Sequence, residues 1–196
     1  MPLWQADAMD YLGYALKRMG KYPQALSYLI EGIKIAGNPE SEKNIFKITK
    51  FSHKSIPRIA RLTVLGNINN DLGNLYNSAL NIDKKIYYYN ETKKIAESIG
   101  DEILLYLVSM NIGNAYLERN ELDSALIYEL KALKYSDNSG FRMYNGLTLG
   151  YLGKIYATKG DHDNAKKYYK ESIQVNKELN NLANLADAYI AVPAFF

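Results

Sequence analysis

A short pattern recurs in this chain at intervals of 40 residues. Gly73, Gly113 and Gly153 each follow a leucine or isoleucine and each precede a tyrosine by three positions, in the stretches DLGNLY, NIGNAY and YLGKIY. An aspartate also recurs ten residues after each glycine. Several positions that repeat in step predict a repeat architecture, in which every unit buries its apolar faces against the next.

Each repeat has the sequence pattern of two helices joined by a turn. Apolar residues such as Val108, Ile112 and Ala115 stand at helical spacing in the first segment. A glycine within a helix costs about 1 kcal/mol relative to alanine, so its recurrence predicts that the partner helix approaches too closely for a side chain. We expect the small residues Ala125 and Ala165 to lie on the opposite side of that contact.

Polar residues mark the expected ends of the second helices. The recurring aspartates Asp83, Asp123 and Asp163 follow the turn, where a carboxylate can accept a hydrogen bond from a backbone N–H that has no helical partner. We therefore predict that they are N-caps. Gly100 is predicted to end the second helix of its repeat, because glycine readily adopts the left-handed conformation found at many helix ends.

Composition and charge exclude several classes of protein. Of 196 residues, 47% are hydrophobic and 23% are charged, which is typical of a folded soluble protein. The net charge of +3 is too small to indicate nucleic-acid binding by itself. The absence of cysteine excludes disulfides and thiolate zinc sites. No apolar run reaches the roughly 18 residues of a membrane span, and the N-terminus lacks the pattern of a signal peptide, so we expect a cytoplasmic protein.

The residues that usually carry catalysis do not form a recognisable set. The only histidines, His53 and His162, lie in no motif with a nucleophile or a metal-ligand partner. No glycine-rich phosphate loop is present, since the glycines recur at the spacing of helix contacts. We therefore expect that the chain is not an enzyme and has no catalytic residue, metal site or cofactor.

The repeat resembles the tetratricopeptide repeat, in which a leucine–glycine pair, a tyrosine, a turn glycine and small residues recur. The stretch YLGKIYATKGDHDNAKKYYKESI matches nearly completely, with Gly160 at the turn, whereas Asn120 replaces the turn glycine in the preceding repeat. The 40-residue period is similar to the long-helix variant of bacterial regulators. The resemblance implies an all-α, right-handed superhelical solenoid of helical hairpins that acts as a protein–protein interaction module, and it suggests the sensor or scaffold segment of a regulator.

The pattern also predicts how the chain is organised. In repeat 2, Leu80 and Lys85 replace the turn glycine and the small residue, and a rival register built on Leu65, Gly66 and Gly73 would break the 40-residue spacing. The predicted repeats 1 to 4 are residues 1–37, 58–100, 101–139 and 140–180, with an inserted basic helix or linker at 38–57 and the first helix of an incomplete fifth repeat at 181–196.

The resemblance also implies a binding site. In this family the first helices line a concave groove, and matching positions point into it. Asparagine amides can pair with the backbone of an extended peptide, and Leu107, Met110 and Leu117 would receive an apolar anchor; the alternative is AT-rich codon usage on a solvated face. The residues implied to bind a protein or peptide ligand are Tyr14, Lys17, Asn67, Asn70, Asn74, Asn77, Leu107, Met110, Asn114, Leu117 and Lys154.

Two departures from the pattern leave other functions open. In the insert, Lys43, Lys47, Lys50 and Lys54 share one helical face, and Arg58 and Arg61 follow in sequence. The segment 43–61 would contact nucleic acid or an anionic surface in a regulator, although lysines that simply face water explain the same pattern. The chain ends on Phe195 and Phe196, which predicts either a fragment of a longer array or a structural module that forms a homo-oligomer through this apolar end.

Overall fold

The protein is described by a computed structural model, which covers residues 2–43, 56–77, 81–182 and 184–185, without the side chain of Asn77. The described residues form α-helices and one short 3₁₀ helix, with no β-strand among them. The all-α repeat fold predicted from the sequence is confirmed. The helices are α1 (Pro2–Arg18), α2 (Tyr22–Gly37), α3 (Pro57–Asn77), α4 (Ile82–Ile99), α5 (Glu102–Glu118), α6 (Leu122–Ser139), α7 (Asn145–Thr158) and α8 (His162–Glu178), and the 3₁₀ helix is Pro39–Glu42.

The chain divides into two compact units. The N-terminal unit comprises residues 1–104 and the C-terminal unit residues 105–196. In the N-terminal unit, α1 pairs with α2 and α3 pairs with α4, while α3 also packs against both helices of the first hairpin. In the C-terminal unit, α7 pairs with α8, and α6 packs against α7. The hairpins predicted from the two-helix pattern are therefore present in the described residues.

The recurring glycines lie where the two helices of a hairpin meet. A Cβ atom added to Gly153 would lie 2.7 Å from Cδ1 of Tyr169, which is closer than side chains pack. The predicted close approach is confirmed, but the atoms nearest to the glycine belong to this tyrosine and not to Ala165. The opposing residue stands 16 positions after the glycine in every repeat. The pairs are Gly13 with Leu29, Gly73 with Tyr89, Gly113 with Glu129 and Gly153 with Tyr169.

The recurring tyrosine also has a packing role. Each one stacks on a second tyrosine in the second turn of the partner helix, with ring centroids 5.3–5.6 Å apart. Apolar ring faces are thereby covered at the turn of every hairpin in repeats 2 to 4. The stacked pairs are Tyr76 with Tyr88, Tyr116 with Tyr128 and Tyr156 with Tyr168.

The second helices begin two residues earlier than the sequence predicts. The N-cap of α4 is Asn81, whose Oδ1 accepts a hydrogen bond from the backbone N–H of Lys84 at 3.0 Å. The N-cap of α8 is Asp161, which accepts from the N–H of Asn164 at 3.1 Å. The prediction that Asp83 and its equivalents are caps was wrong. They lie in the first helical turn, where a negative charge is favourable beside the positive end of the helix dipole.

The hairpin turns of repeats 1, 3 and 4 each contain a residue in the left-handed conformation. Gly160 has φ 79° and Gly20 has φ 74°, and Asn120 takes the same conformation at φ 61° in the repeat that lacks a turn glycine. Asparagine tolerates this region better than most residues, because its short amide can bond to nearby backbone. Gly100 follows α4 with φ 65°, which confirms the predicted helix end.

Only the edges of the predicted insert are described. Pro39 begins the short 3₁₀ helix, and Pro57 is the first residue of α3, a position where the missing N–H of proline is tolerated. His53 and the lysines at 47, 50 and 54 lie outside the described residues. The same holds for residues 186–196, which include Phe195 and Phe196.

Candidate functional site

The predicted binding residues of the N-terminal unit lie on α1 and α3. Lys17 on α1 and Asp71 on α3 attract each other electrostatically. Burial lowers the pKa of the Lys17 ammonium, and Asp71 opposes that shift. Burial likewise raises the pKa of Asp71, and a hydrogen bond from Asn74 and the charge of Lys17 oppose it. The two helices therefore share a half-buried polar surface, the α1–α3 face, which comprises Tyr14, Lys17, Asn67, Asn70, Asp71 and Asn74.

The asparagines of the α1–α3 face differ in how far they are already bonded. Asn74 donates from Nδ2 to Oδ1 of Asp71 at 3.2 Å and accepts at Oδ1 from the hydroxyl of Tyr89 at 2.8 Å. One of its two N–H donors and one oxygen lone pair remain for other partners. Asn67 is half buried and makes no hydrogen bond with any residue that the structure describes. Asn67 is thus the described asparagine of the α1–α3 face whose amide is most open to a ligand.

Charged groups surround Lys17. Its ammonium makes no hydrogen bond or ion pair with the described residues, although it lies near the charges of Asp71, Lys85 and Arg18. Arg18 donates from Nη1 to the hydroxyl of Tyr14 at 3.3 Å, and Tyr14 is 45% exposed. This corner of the α1–α3 face therefore offers an unbonded cation next to an exposed aromatic ring.

Sequence reasoning missed two residues at this surface. Asp71 is a further polar residue of the α3 stripe, between Asn67 and Asn74. Lys85 stands where other repeats have alanine, which the sequence indicated only as an irregular repeat. The structure buries it to 2% exposure on α4, and its charge contributes to lowering the pKa of Lys17. A lysine at a position that is otherwise alanine was the available signal.

Two of the five predicted binding residues in the C-terminal unit are core residues. Met110 is 7% exposed in a cluster with Tyr106 and Ala132, and Leu117 is 8% exposed against Ala125 and Ile155. Both side chains pack against residues of α6 and α7. The expected apolar anchor surface is therefore not present at these two positions.

The remaining members of the C-terminal set are more accessible. Leu107 is half buried at the edge of the Met110 cluster, and Lys154 is exposed on α7. Asn114 is half buried and donates from Nδ2 to Oε1 of Glu118 at 2.9 Å. The side chain of Asn77, in the N-terminal unit, lies outside the described residues.

At the described edges of the basic insert, Arg61 and Lys43 are paired within the chain, whereas Arg58 is exposed. Arg61 is 8% exposed, with Nε on Oε1 of Glu42 at 2.7 Å and Nη1 on the carbonyl oxygen of Ala36 at 2.9 Å. Lys43 pairs with Glu40. A buried, paired arginine cannot also serve an external anion, so Arg61 belongs to the packing of α2 on α3 and not to a basic surface.

The described part of the chain contains neither a metal-binding cluster nor a membrane-spanning helix. No group of three or more histidine, cysteine, aspartate or glutamate side chains there could hold a metal ion. Within the same residues, no helix combines the length and the apolar character that crossing a membrane requires.

Comparison with known proteins agrees with this geometry. Two family models described as tetratricopeptide repeat match residues 5–37 and 151–179. A search of curated proteins finds no match. The repeat family, together with the helical hairpins, supports a protein–protein interaction scaffold of a kind that is typically non-catalytic.

Solved structures similar to this chain are longer than it is. The apo form of RapI superposes with a TM-score of 0.76 at 16% identity, over 99% of this chain and 64% of that chain. A signal-transduction ATPase with a tetratricopeptide repeat sensor, from Pyrococcus horikoshii, has a TM-score of 0.75 at 16% identity, over 98% and 27%. Aspartyl phosphate phosphatase F from Bacillus subtilis has a TM-score of 0.73 at 12% identity, over 97% and 45%. At these identities the likeness establishes the fold alone.

Proposed function

We propose that this tetratricopeptide-repeat chain binds an extended peptide or protein segment on the α1–α3 face of its N-terminal unit. The observation that carries the proposal is that α1 and α3, the first helices of two adjacent hairpins, bring polar groups with free hydrogen-bonding capacity onto one half-buried surface. Among the residues that the structure describes, the Lys17 ammonium and the Asn67 amide have no hydrogen-bond partner, so both can meet a ligand. An amide supplies both a donor and an acceptor, which matches the backbone of a peptide whatever its sequence.

Magnitudes restrict the kind of ligand. One hydrogen bond contributes about 0.5–1.5 kcal/mol net, whereas micromolar affinity requires about 8 kcal/mol. The free groups of Asn67 and Asn74 would therefore supply only a fraction of the binding energy. A ligand must also use Lys17 and the exposed ring of Tyr14, so we expect a segment with an acidic side chain and an apolar or aromatic residue next to it.

The test is selection of peptides from a random displayed library on the purified chain. Affinities of the selected peptides are then measured by calorimetry for the wild type and for a Lys17→Ala/Asn67→Ala variant. The control is Lys34→Ala, which removes an exposed lysine of α2 that pairs with Glu31 one turn away. We expect at least tenfold weaker binding to the double variant and unchanged binding to the control. Equal affinity of the selected peptides for all three proteins, or no enriched peptide, contradicts the proposal.

In the similar solved structures, the part that matches this chain is one segment of a longer protein. The ATPase from Pyrococcus horikoshii carries its repeats as a sensor, and this chain spans 27% of that protein, 64% of RapI and 45% of the phosphatase. We propose by the same arrangement that this chain is the sensor or scaffold segment of a regulator. Attachment of the selected peptide would then change the activity of an associated effector, whereas a purely structural segment would leave it unchanged.

A further inference from the structure

Glu129 breaks the pattern of the residue that opposes the recurring glycine. The equivalent positions hold Leu29, Tyr89 and Tyr169, all apolar or aromatic and all buried. In repeat 3 the same place is taken by a side chain that carries a carboxyl group. Carboxylates are rarely buried without a partner, so this substitution within an otherwise regular contact requires a physical explanation.

The carboxyl group lies inside the hairpin of α5 and α6. Glu129 is 0% exposed, and a Cβ atom added to Gly113 would lie 2.5 Å from its Oε1 and 2.8 Å from its Cδ. Neither carboxyl oxygen has a hydrogen-bond partner among the described residues. The side chain thus fills the space that a tyrosine fills in repeats 2 and 4, without the partners that an ionised carboxylate needs.

The polar neighbours of Glu129 carry no compensating charge. From α5, Tyr106 is the titratable group that interacts with Glu129, and it is fully buried. From α7, Thr148 and the N-cap residue Tyr144 lie near the Tyr106 hydroxyl. No cationic side chain among the described residues offsets the carboxyl group, and burial alone raises the pKa of Glu129 well above its ordinary value. Burial also raises the pKa of Tyr106. The Tyr106 hydroxyl therefore stays neutral and supplies no charge that could compensate an ionised Glu129.

We propose that Glu129 makes the α5–α6 hairpin a pH-dependent contact within the C-terminal unit. As a neutral acid the side chain packs against Gly113 and holds α6 on α5. Once ionised, it must leave the interior or acquire a counter-ion, and the hairpin opens locally as the carboxylate reaches water. The protonation of Glu129 would thereby make the stability of the α5–α6 hairpin depend on pH. This dependence does not require a ligand on the α1–α3 face.

The sign of the effect follows from proton linkage. A carboxyl group that is protonated in the folded state and ionised in the unfolded state makes the fold bind more protons than the unfolded chain. The contribution of Glu129 to stability is therefore fully present below the unfolded pKa of about 4.3. It is lost as the pH rises towards the folded-state value, and the unfolding constant increases up to tenfold for each pH unit in between.

The experiment measures urea unfolding and amide hydrogen exchange of α5 and α6 between pH 5 and pH 8, with exchange corrected for its intrinsic pH dependence. Glu129→Gln keeps the shape and removes the titration, and Glu129→Tyr restores the residue of the neighbouring repeats. Glu171→Gln, at an exposed glutamate of α8, is the matched control. We expect the wild type and the control to lose protection in α5 and α6 as the pH rises, by up to tenfold per unit more than either variant at position 129.

Two results would overturn the proposal. If the wild type and both variants at position 129 show the same pH dependence, Glu129 does not titrate with folding. If the stability of the wild type increases from pH 5 to pH 8, the carboxylate is ionised inside the fold and paired with a cation. Because Glu129→Tyr has the packing found in two other repeats, it keeps the comparison valid even if the glutamine variant fails to fold.

Discussion

The hydroxyl of Tyr89 donates a hydrogen bond to Oδ1 of Asn74 at 2.8 Å, and the ring of the same tyrosine lies against Gly73. One side chain of the second helix therefore supports both the helix contact and a residue of the proposed binding face. The amide of Asn74 is held in one orientation by this bond and by its own bond to Asp71. A ligand that meets Asn74 finds an amide that is already positioned.

The two hydrogen bonds of Asn74 can be compared by their contributions to the free energy of unfolding. Tyr89→Phe removes the bond to Asn74 and keeps the ring against Gly73, so we expect a loss of about 1 kcal/mol in the free energy of unfolding. Asn74→Ala should cost about 1–3 kcal/mol, because it removes both bonds and leaves the half-buried Asp71 without its donor. Urea unfolding of the two variants checks the order. Equal losses would mean that the Asp71 bond contributes nothing.

The contact between the recurring glycine and the partner helix can be tested by replacing two glycines of α7, one inside the contact and one outside it. Gly153→Ala places a Cβ atom 2.7 Å from Cδ1 of Tyr169, and we expect overpacking to lower the free energy of unfolding by about 1–3 kcal/mol. Gly150→Ala meets only Oγ of Ser172 at 3.6 Å, so it should gain about 0.5–1 kcal/mol of helix propensity. Thermal unfolding of both variants gives the comparison. A stabilising Gly153→Ala would show that the tyrosine ring moves aside without cost.

The left-handed residues of two hairpin turns allow a second pair of variants to be compared. Gly160 has φ 79°, so Gly160→Ala should destabilise by about 1–2 kcal/mol, since a Cβ atom is disfavoured in the left-handed region. Asn120 already occupies this region at φ 61°, and Asn120→Gly should change the free energy of unfolding by less than about 1 kcal/mol, with stabilisation expected. The measurement is again urea unfolding. A large loss for Asn120→Gly would indicate that the asparagine side chain makes a contact that the turn geometry does not require.

The repeat period determined most of the fold. Helical spacing of apolar residues identified the helices of repeats 3 and 4, and the 40-residue register located the glycine contacts, including the one at Gly73 in the irregular repeat 2. These features are local or strictly periodic, so one chain carries several copies of the same signal. The N-caps were misplaced by two residues because Asn81 and Asp83 are both acceptable capping types, and only the backbone shows which one ends the turn.

The sequence by itself thus determined the hairpins, the left-handed turns and the polar stripe of α3. Tertiary structure alone decided that Met110 and Leu117 are core residues, that Arg61 pairs with Glu42 and that the carboxyl group of Glu129 is buried. The physical reason is that periodicity shows which side chains share a face, but not which neighbouring helix covers that face. Burial and the identity of a polar partner depend on that neighbour, and the pKa of each buried group follows from them.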